Sequence, residues 1–131
     1  MQIHTFRLKP GQELYRSIKD YVKAHDIQAG CVLSSVGSLT RARLRLATDD
    51  AYTAYEGHFE ILALNGTVSL HGCHLHLAIG DGRGHTYGGH LGEGCLIYTT
   101  AEIVLAAFPG VVYKREPCAE SGYDELVVYP A

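Results

Sequence analysis

"HGCHLHLAIGDGRGHTYGGHL", residues His71 to Leu91, carries five of the chain's eight histidines and six of its 15 glycines. Its first half alternates. Cys73, Leu75, Leu77 and Ile79 share one face of an extended chain, and His74, His76 and Ala78 share the other. A period of two followed by the glycine-rich "GDGRG" predicts a strand, a reversal and a returning strand rather than a helix. If the chain reverses about Arg83, residue 76 lies across from residue 90, and His90 joins His74 and His76 on one face. A turn with an odd number of residues, or a single bulge, gives that result. An even turn without a bulge sends His90 to the wrong side.

Three imidazoles converging without a thiolate or carboxylate suit Zn²⁺, with Ni²⁺ or another borderline metal also compatible. The fourth coordination position is then open to water or a ligand, as in catalytic rather than structural zinc sites. Gly88 and Gly89 leave space beside such a metal for something to approach the backbone. A His-x-His on a half-exposed strand is most often only two histidines; His90 at a foldable distance turns the pair into a candidate triad. His71 has the opposite parity from His74, and His85 falls within the turn, so both read as solvated or as outer neighbours of the site. His4, His25 and His58 carry no spacing signal.

Working outward, "MQIHTFRL" alternates as a first strand ended by "KPG". In "GQELYRSIKDYVKAHDI", Leu14, Ile18 and Val22 recur every four residues, the mark of an amphipathic helix. Extended runs follow: "AGCVLSSVGSL" and "ARLRLA", read as two short pieces hinged at Gly37, a turn at "TDDA", then "GHFEILALNGTVSL". There the dipeptide Asn65-Gly66 predicts a two-residue hairpin turn. "CLIYTTAEIVLAAF" is β-branched, aromatic and almost without a polar face, and "VVYKRE" and "ELVVYP" close the chain. About eight strands and one main helix predict a single α+β domain, residues 1–131, built on an antiparallel sheet. Strands apolar on both faces need two covers, the second being another sheet or another subunit.

Glu60 in "HFEIL" and Glu102 in "TTAEIVL" have apolar neighbours on both sides. The reading is of buried acids needing an ion-pair partner, or of groups assisting at a metal. Arg41, Arg43 and Arg45 in "TRARLRL" alternate with apolar residues and share one strand face, either a solvated edge or an anion-binding strip. The balance of 11 basic and 14 acidic residues, net −3, lacks the basic excess usual in proteins that neutralise phosphates. Cys31, Cys73, Cys95 and Cys118 show no Cys-x-x-Cys pairing and read as free thiols, the first three buried in apolar runs. No run of about 18 apolar residues exists and the N-terminus turns polar early, which predicts a cytoplasmic protein that does not enter a membrane. No nucleophile elbow, phosphate loop or dinucleotide fingerprint is present, and "GDGRG" lacks a phosphate loop's lysine.

Taken in order, "RLKPGQEL", "VLSSVGSL", "GHFEILALNGTVS", "HLHLAIGDGRGHTYGGHLGEG" and "YTTAEIVL" resemble the PPC domain (plants and prokaryotes conserved) nearly end to end. Plant members place the domain after an AT-hook. This chain has no Arg-Gly-Arg-Pro core and resembles the stand-alone prokaryotic members, many of which are assigned to DNA binding by transfer from plants. The resemblance implies an antiparallel α+β fold that assembles as a homotrimer. It also implies a fold-level similarity to acetolactate decarboxylase, where a comparable set of histidines holds zinc. Carried over, those ligands fall on His74, His76 and His90; the resemblance places no acid or arginine partner. Two functional expectations follow. One is a trimeric metal-binding domain with a small-molecule ligand at the metal, assisted by Glu60 or Glu102. The other is an oligomerisation module that meets DNA or a transcription factor through Arg41, Arg43 and Arg45.

Overall fold

In a computed structural model, residues 1–131 form eight strands and one helix. In chain order they are β1 (Gln2–Leu8), α1 (Leu14–Ala24), β2 (Gly30–Arg45), β3 (Tyr52–Val68), β4 (His74–Gly80), β5 (Thr86–Leu91), β6 (Leu96–Ala107), β7 (Val111–Pro117) and β8 (Asp124–Pro130). Six strands make one antiparallel sheet in the order β1-β6-β2-β3-β4-β5, while β7 and β8 pair as a separate hairpin. This is an α+β fold. No helix is long and apolar enough to cross a membrane.

The helix forms where its apolar spacing demands. Leu14, Ile18 and Val22 are its fully buried residues, one per turn on one stripe. Each contributes about 1.5–3 kcal/mol by leaving water. Glu13 caps the N-terminus, its carboxylate accepting from the amides of Tyr15 and Arg16. Tyr21 stacks on Phe6 of β1 at a centroid distance of 4.0 Å and shares a 3.0 Å hydrogen bond with Nδ1 of His4. This clamps the helix against β1.

Two strands are longer than their sequence punctuation suggests. The expected hinge at Gly37 does not break the chain; β2 is one strand of 16 residues, bent by irregularities after Val32, Gly37 and Leu39. Gly37 is required for packing instead, because a Cβ there would lie 2.2 Å from the carbonyl oxygen of Thr100. Nor does Asn65-Gly66 turn. Both lie in β3 and pair with His76 and Leu75 of β4, and the chain reverses only beyond Val68. A local turn preference yields when further cross-strand pairs are available beyond it, here Thr67 with His74. Gly66 serves close approach: at φ 146° it lets β4 come so near that a Cβ would stand 1.9 Å from the His74 carbonyl oxygen.

The bends in β2 decide the topology. Its first part pairs with β6 along one edge; its last two residues, Leu44 and Arg45, pair with Leu91 and His90 of β5 on that same edge. Since β3 follows the other edge of β2 and β4 bridges β3 to β5, strands β2, β3, β4 and β5 close into a ring. Leu44, Leu64, Leu75, Leu77, Ile79 and Leu91 belong to the buried core that this ring shares with the helix. Gly89 permits the closure, as a Cβ there would sit 2.8 Å from the Arg45 carbonyl oxygen.

Candidate metal centre

The reversal between β4 and β5 is centred on Arg83. Gly80 pairs with Thr86 and His76 pairs with His90, leaving the five residues Asp81–His85 as the turn. Asp81 holds it: Oδ1 accepts from the amides of Arg83 and His85, both at 2.9 Å, and Gly84 takes φ 79°. These amides keep the Asp81 carboxyl below its ordinary value. The turn has an odd count, so His90 emerges on the same face as His74 and His76.

Ring centroids are 5.0 Å apart for His74 and His76, 5.3 Å for His74 and His90, and 5.8 Å for His76 and His90. One ring nitrogen from each lies within 4.8 Å of the other two. Three nitrogens bound to one zinc at its usual bond length stand about 3.3 Å apart, so small side-chain rotations complete the triad. Nδ1 of His90 is buried without a hydrogen-bond partner, a polar atom whose cost a ligated cation would remove. The donor set fits a divalent borderline metal. Burial first, then the charge of Arg115, lowers the His74 pKa; burial and then Arg45 do the same for His90. Both therefore stay neutral at physiological pH, the state that offers a lone pair to a metal.

The remaining expected site residues distribute differently. Glu60 and Glu102 are corrected: both are exposed rather than buried. Strand alternation turns Phe59, Ile61, Ala101 and Ile103 inward and each intervening acid outward, so apolar neighbours in sequence did not mean apolar surroundings. Glu60 also lies five residues along β3 from Asn65, the cross-strand neighbour of His76, a separation of about 16 Å. Within one chain it does not reach the triad. Arg41, Arg43 and Arg45 do not form one free strip. Nε of Arg41 lies 3.0 Å from Oε1 of Glu56, a charge contact outside good hydrogen-bond geometry. Arg43 stands over the Tyr52 ring at 4.5 Å. Arg45 alone is the cross-strand neighbour of His90. His71 and His85 are exposed, His85 3.6 Å from Asp81. All four cysteines are free, but only Cys95 is fully buried; Cys31 and Cys73 are half-buried, since each lies where a strand begins and one side remains open.

Beside the triad opens a cleft of about 470 Å³ lined by Arg45, His74, His90, Arg115 and Tyr123, among others. Arg115 comes from the β7–β8 hairpin and donates to Oγ1 of Thr67 at 2.8 Å, and Thr67 is the cross-strand neighbour of His74. The hairpin is tied to the sheet by Ser69, whose hydroxyl contacts the Gln28 and Tyr113 carbonyls. Nothing in "VVYKREP" marks Arg115 as a site residue, because its relation to His74 exists only through that docking.

This architecture accords with comparison to known proteins. Residues 1–109 match the Plants and Prokaryotes Conserved (PCC) domain, and the chain belongs to that family. A solved structure of a hypothetical protein from Salmonella cholerae-suis superposes with a TM-score of 0.97 at 41% identity, covering 98% of this chain and 94% of the other. A metal-containing protein from Archaeoglobus fulgidus gives a TM-score of 0.82 at 25% identity, with coverages of 97% and 94%. A structure from Bacteroides thetaiotaomicron described as a candidate DNA-binding protein has a TM-score of 0.85 at 18% identity, with coverages of 95% and 91%, and shares the fold. A curated relative, Bifunctional protein GlmU of a Synechococcus strain, is 48% identical over 130 residues; the match covers 99% of this chain but 21% of that protein. The chain thus spans about a fifth of the curated relatives it matches.

Proposed function

We propose that this protein is a metal-binding domain of a homotrimer, in which His74, His76 and His90 hold one divalent cation, zinc by preference. The observation that carries the reading is the convergence of three imidazole nitrogens within 4.8 Å of one another on one face of the β4–β5 hairpin. The donor set supports zinc, and the name of the Archaeoglobus relative supports a metal in this fold. A zinc ion there supplies Lewis-acid polarisation of a small oxygenated ligand. The chain's own residues present the three nitrogens, keep two of them neutral by burial and adjacent charge, and leave the cleft open on one side.

The trimer is supported by apolar side chains left bare on the sheet strands. Ile3, Leu33, Val36 and Leu62 are each more than half exposed. Four such residues on β1, β2 and β3 are a contact surface seeking a partner, and a second and third copy of the chain supply it.

Elemental analysis of untagged protein tests the metal: one metal per chain is expected, lost in His76→Ala and His90→Ala. Metal-free protein, with both variants as stable as the parent, would end the reading. A salt-dependent shift of duplex DNA abolished by removing Arg41, Arg43 and Arg45 together would favour a nucleic-acid module instead. The engagement of Arg41 by Glu56 and of Arg43 by Tyr52 argues against it.

A further inference from the structure

We infer that the cleft beside the histidine triad is a subsite for a small oxyanion, a carboxylate or phosphate head group held between Arg45 and Arg115 and facing the metal position. The inference deepens the metal reading above and rests on it for the cation. Its own ground is the placement of two guanidiniums. Arg45 pairs across the strands with His90, and Arg115 is pinned to Thr67, the cross-strand neighbour of His74, so the two flank the triad from different elements. Both line the same cleft of about 470 Å³, a volume suited to a small molecule.

Neither arginine has a carboxylate of its own. The ion pairs of the chain involve Arg16 with Glu93, Arg41 with Glu56, and His85 with Asp81. Arg45 spends one donor on the Asp49 backbone carbonyl at 3.4 Å, and Arg115 one on Thr67. Each guanidinium has five N–H donors, so most remain for a ligand. Both arginines are half-buried while the acids of the cleft are exposed, and a divalent cation on neutral ligands adds further positive charge at the inner end.

The same cleft limits the ligand's size and charge. Asp49, Asp50, Asp124 and Glu125 also line it, and all four are exposed, where water screens them. A single anionic head can pass them to reach the half-buried arginines. A run of phosphates, as in DNA, would be repelled along its length. The hairpin that brings Arg115, Asp124 and Glu125 lies beyond residues 1–109, the segment the family match covers.

The test loads untagged protein with Zn²⁺, removes excess metal by gel filtration and measures metal content. Acetate and inorganic phosphate are then titrated calorimetrically at constant ionic strength. One saturable site per chain is expected for at least one of the two, and the tighter one identifies the head group. Arg45→Gln and Arg115→Gln each weaken it tenfold or more while metal content and thermal midpoint stay unchanged, and duplex DNA does not displace it. Should a Gln variant fail to fold, the Lys substitution at that position keeps the charge without the planar fork, and a threefold or greater weakening is expected. No saturable binding of either anion, affinity unchanged in the arginine variants, or displacement by DNA overturns the inference. Metal content is scored separately. If metal fails to bind but arginine-dependent anion binding persists, the metal reading falls and the anion site stands.

Discussion

At the scale of single residues, protonation and exposure set the reactivity of this chain. Cys95 is fully buried and its thiol is pushed up to about 11, chiefly by desolvation. Cys118 is drawn the other way, its thiolate favoured by the backbone amide and hydroxyl of Ser121. Under a slow thiol reagent at pH 7.5, Cys118 is expected to label first and Cys95 only on unfolding, as read by peptide mass mapping; early labelling of Cys95 would contradict its burial. The histidines give a second prediction. Since His74 and His90 titrate below their ordinary value, the unfolded chain binds more protons than the folded one between the two values, and stability rises with pH across that window. The contribution is therefore complete above about pH 6.5 and lost as pH falls through the depressed folded values. The thermal midpoint of chelator-treated protein should drop between pH 7.5 and 5, and drop less in His90→Gln. A profile identical in the variant would exclude His90 as a source.

At the scale of elements, the β3–β4 and β4–β5 contacts hold the site. Gly66→Ala forces a Cβ to within 1.9 Å of the His74 carbonyl oxygen at a φ of 146° that alanine disfavours. A loss of roughly 3 kcal/mol is expected in urea unfolding, from steric overlap and backbone strain. Because the clash is with the backbone of His74 itself, metal affinity should fall with stability. A folded Gly66→Ala that binds metal as the parent does would show that β4 can shift without disturbing the triad. The turn is the complementary element. Asp81 accepts two amides within it, and Asp81→Ala leaves both without that acceptor. Weakened metal binding is expected there, with Asp81→Asn closer to the parent because one side-chain oxygen remains.

At the scale of the whole molecule, the sheet is covered by α1 on one side, while apolar side chains stay bare on the other. Arg7, Glu102 and Val36 form one cross-strand row on the outward face, with Val36 55% exposed. If copies of the chain meet on this surface, Val36→Glu places a third charge in that row beside the existing pair and removes apolar area from the contact. The parent is expected at three times its 14.3 kDa by light scattering, and Val36→Glu at a lower mass with its secondary structure retained. A parent that runs as a monomer at micromolar concentration would remove the trimer.

Much of this was legible in local pattern, and the reason is periodicity. Strand alternation placed His74 and His76 together and Leu75, Leu77 and Ile79 in the core, and the four-residue spacing placed Leu14, Ile18 and Val22 under the helix, while the side on which His90 emerges hung on the parity of the turn, which the strand pairing decided. Alternation and helical pitch are properties of the backbone, so a short window reveals them. What a window could not reveal depended on partners far along the chain. The continuity of β2 through Gly37 and of β3 through Asn65-Gly66 was set by pairing with distant strands, and the outward turn of Glu60 and Glu102 by which face the core occupied. The meeting of Arg45 and Arg115 with the triad required ring closure by β5 and the docking of a hairpin some forty residues downstream of His74. Such contacts arise only when the free energy of many cross-strand bonds and buried side chains is counted together, and only the folded chain does that sum.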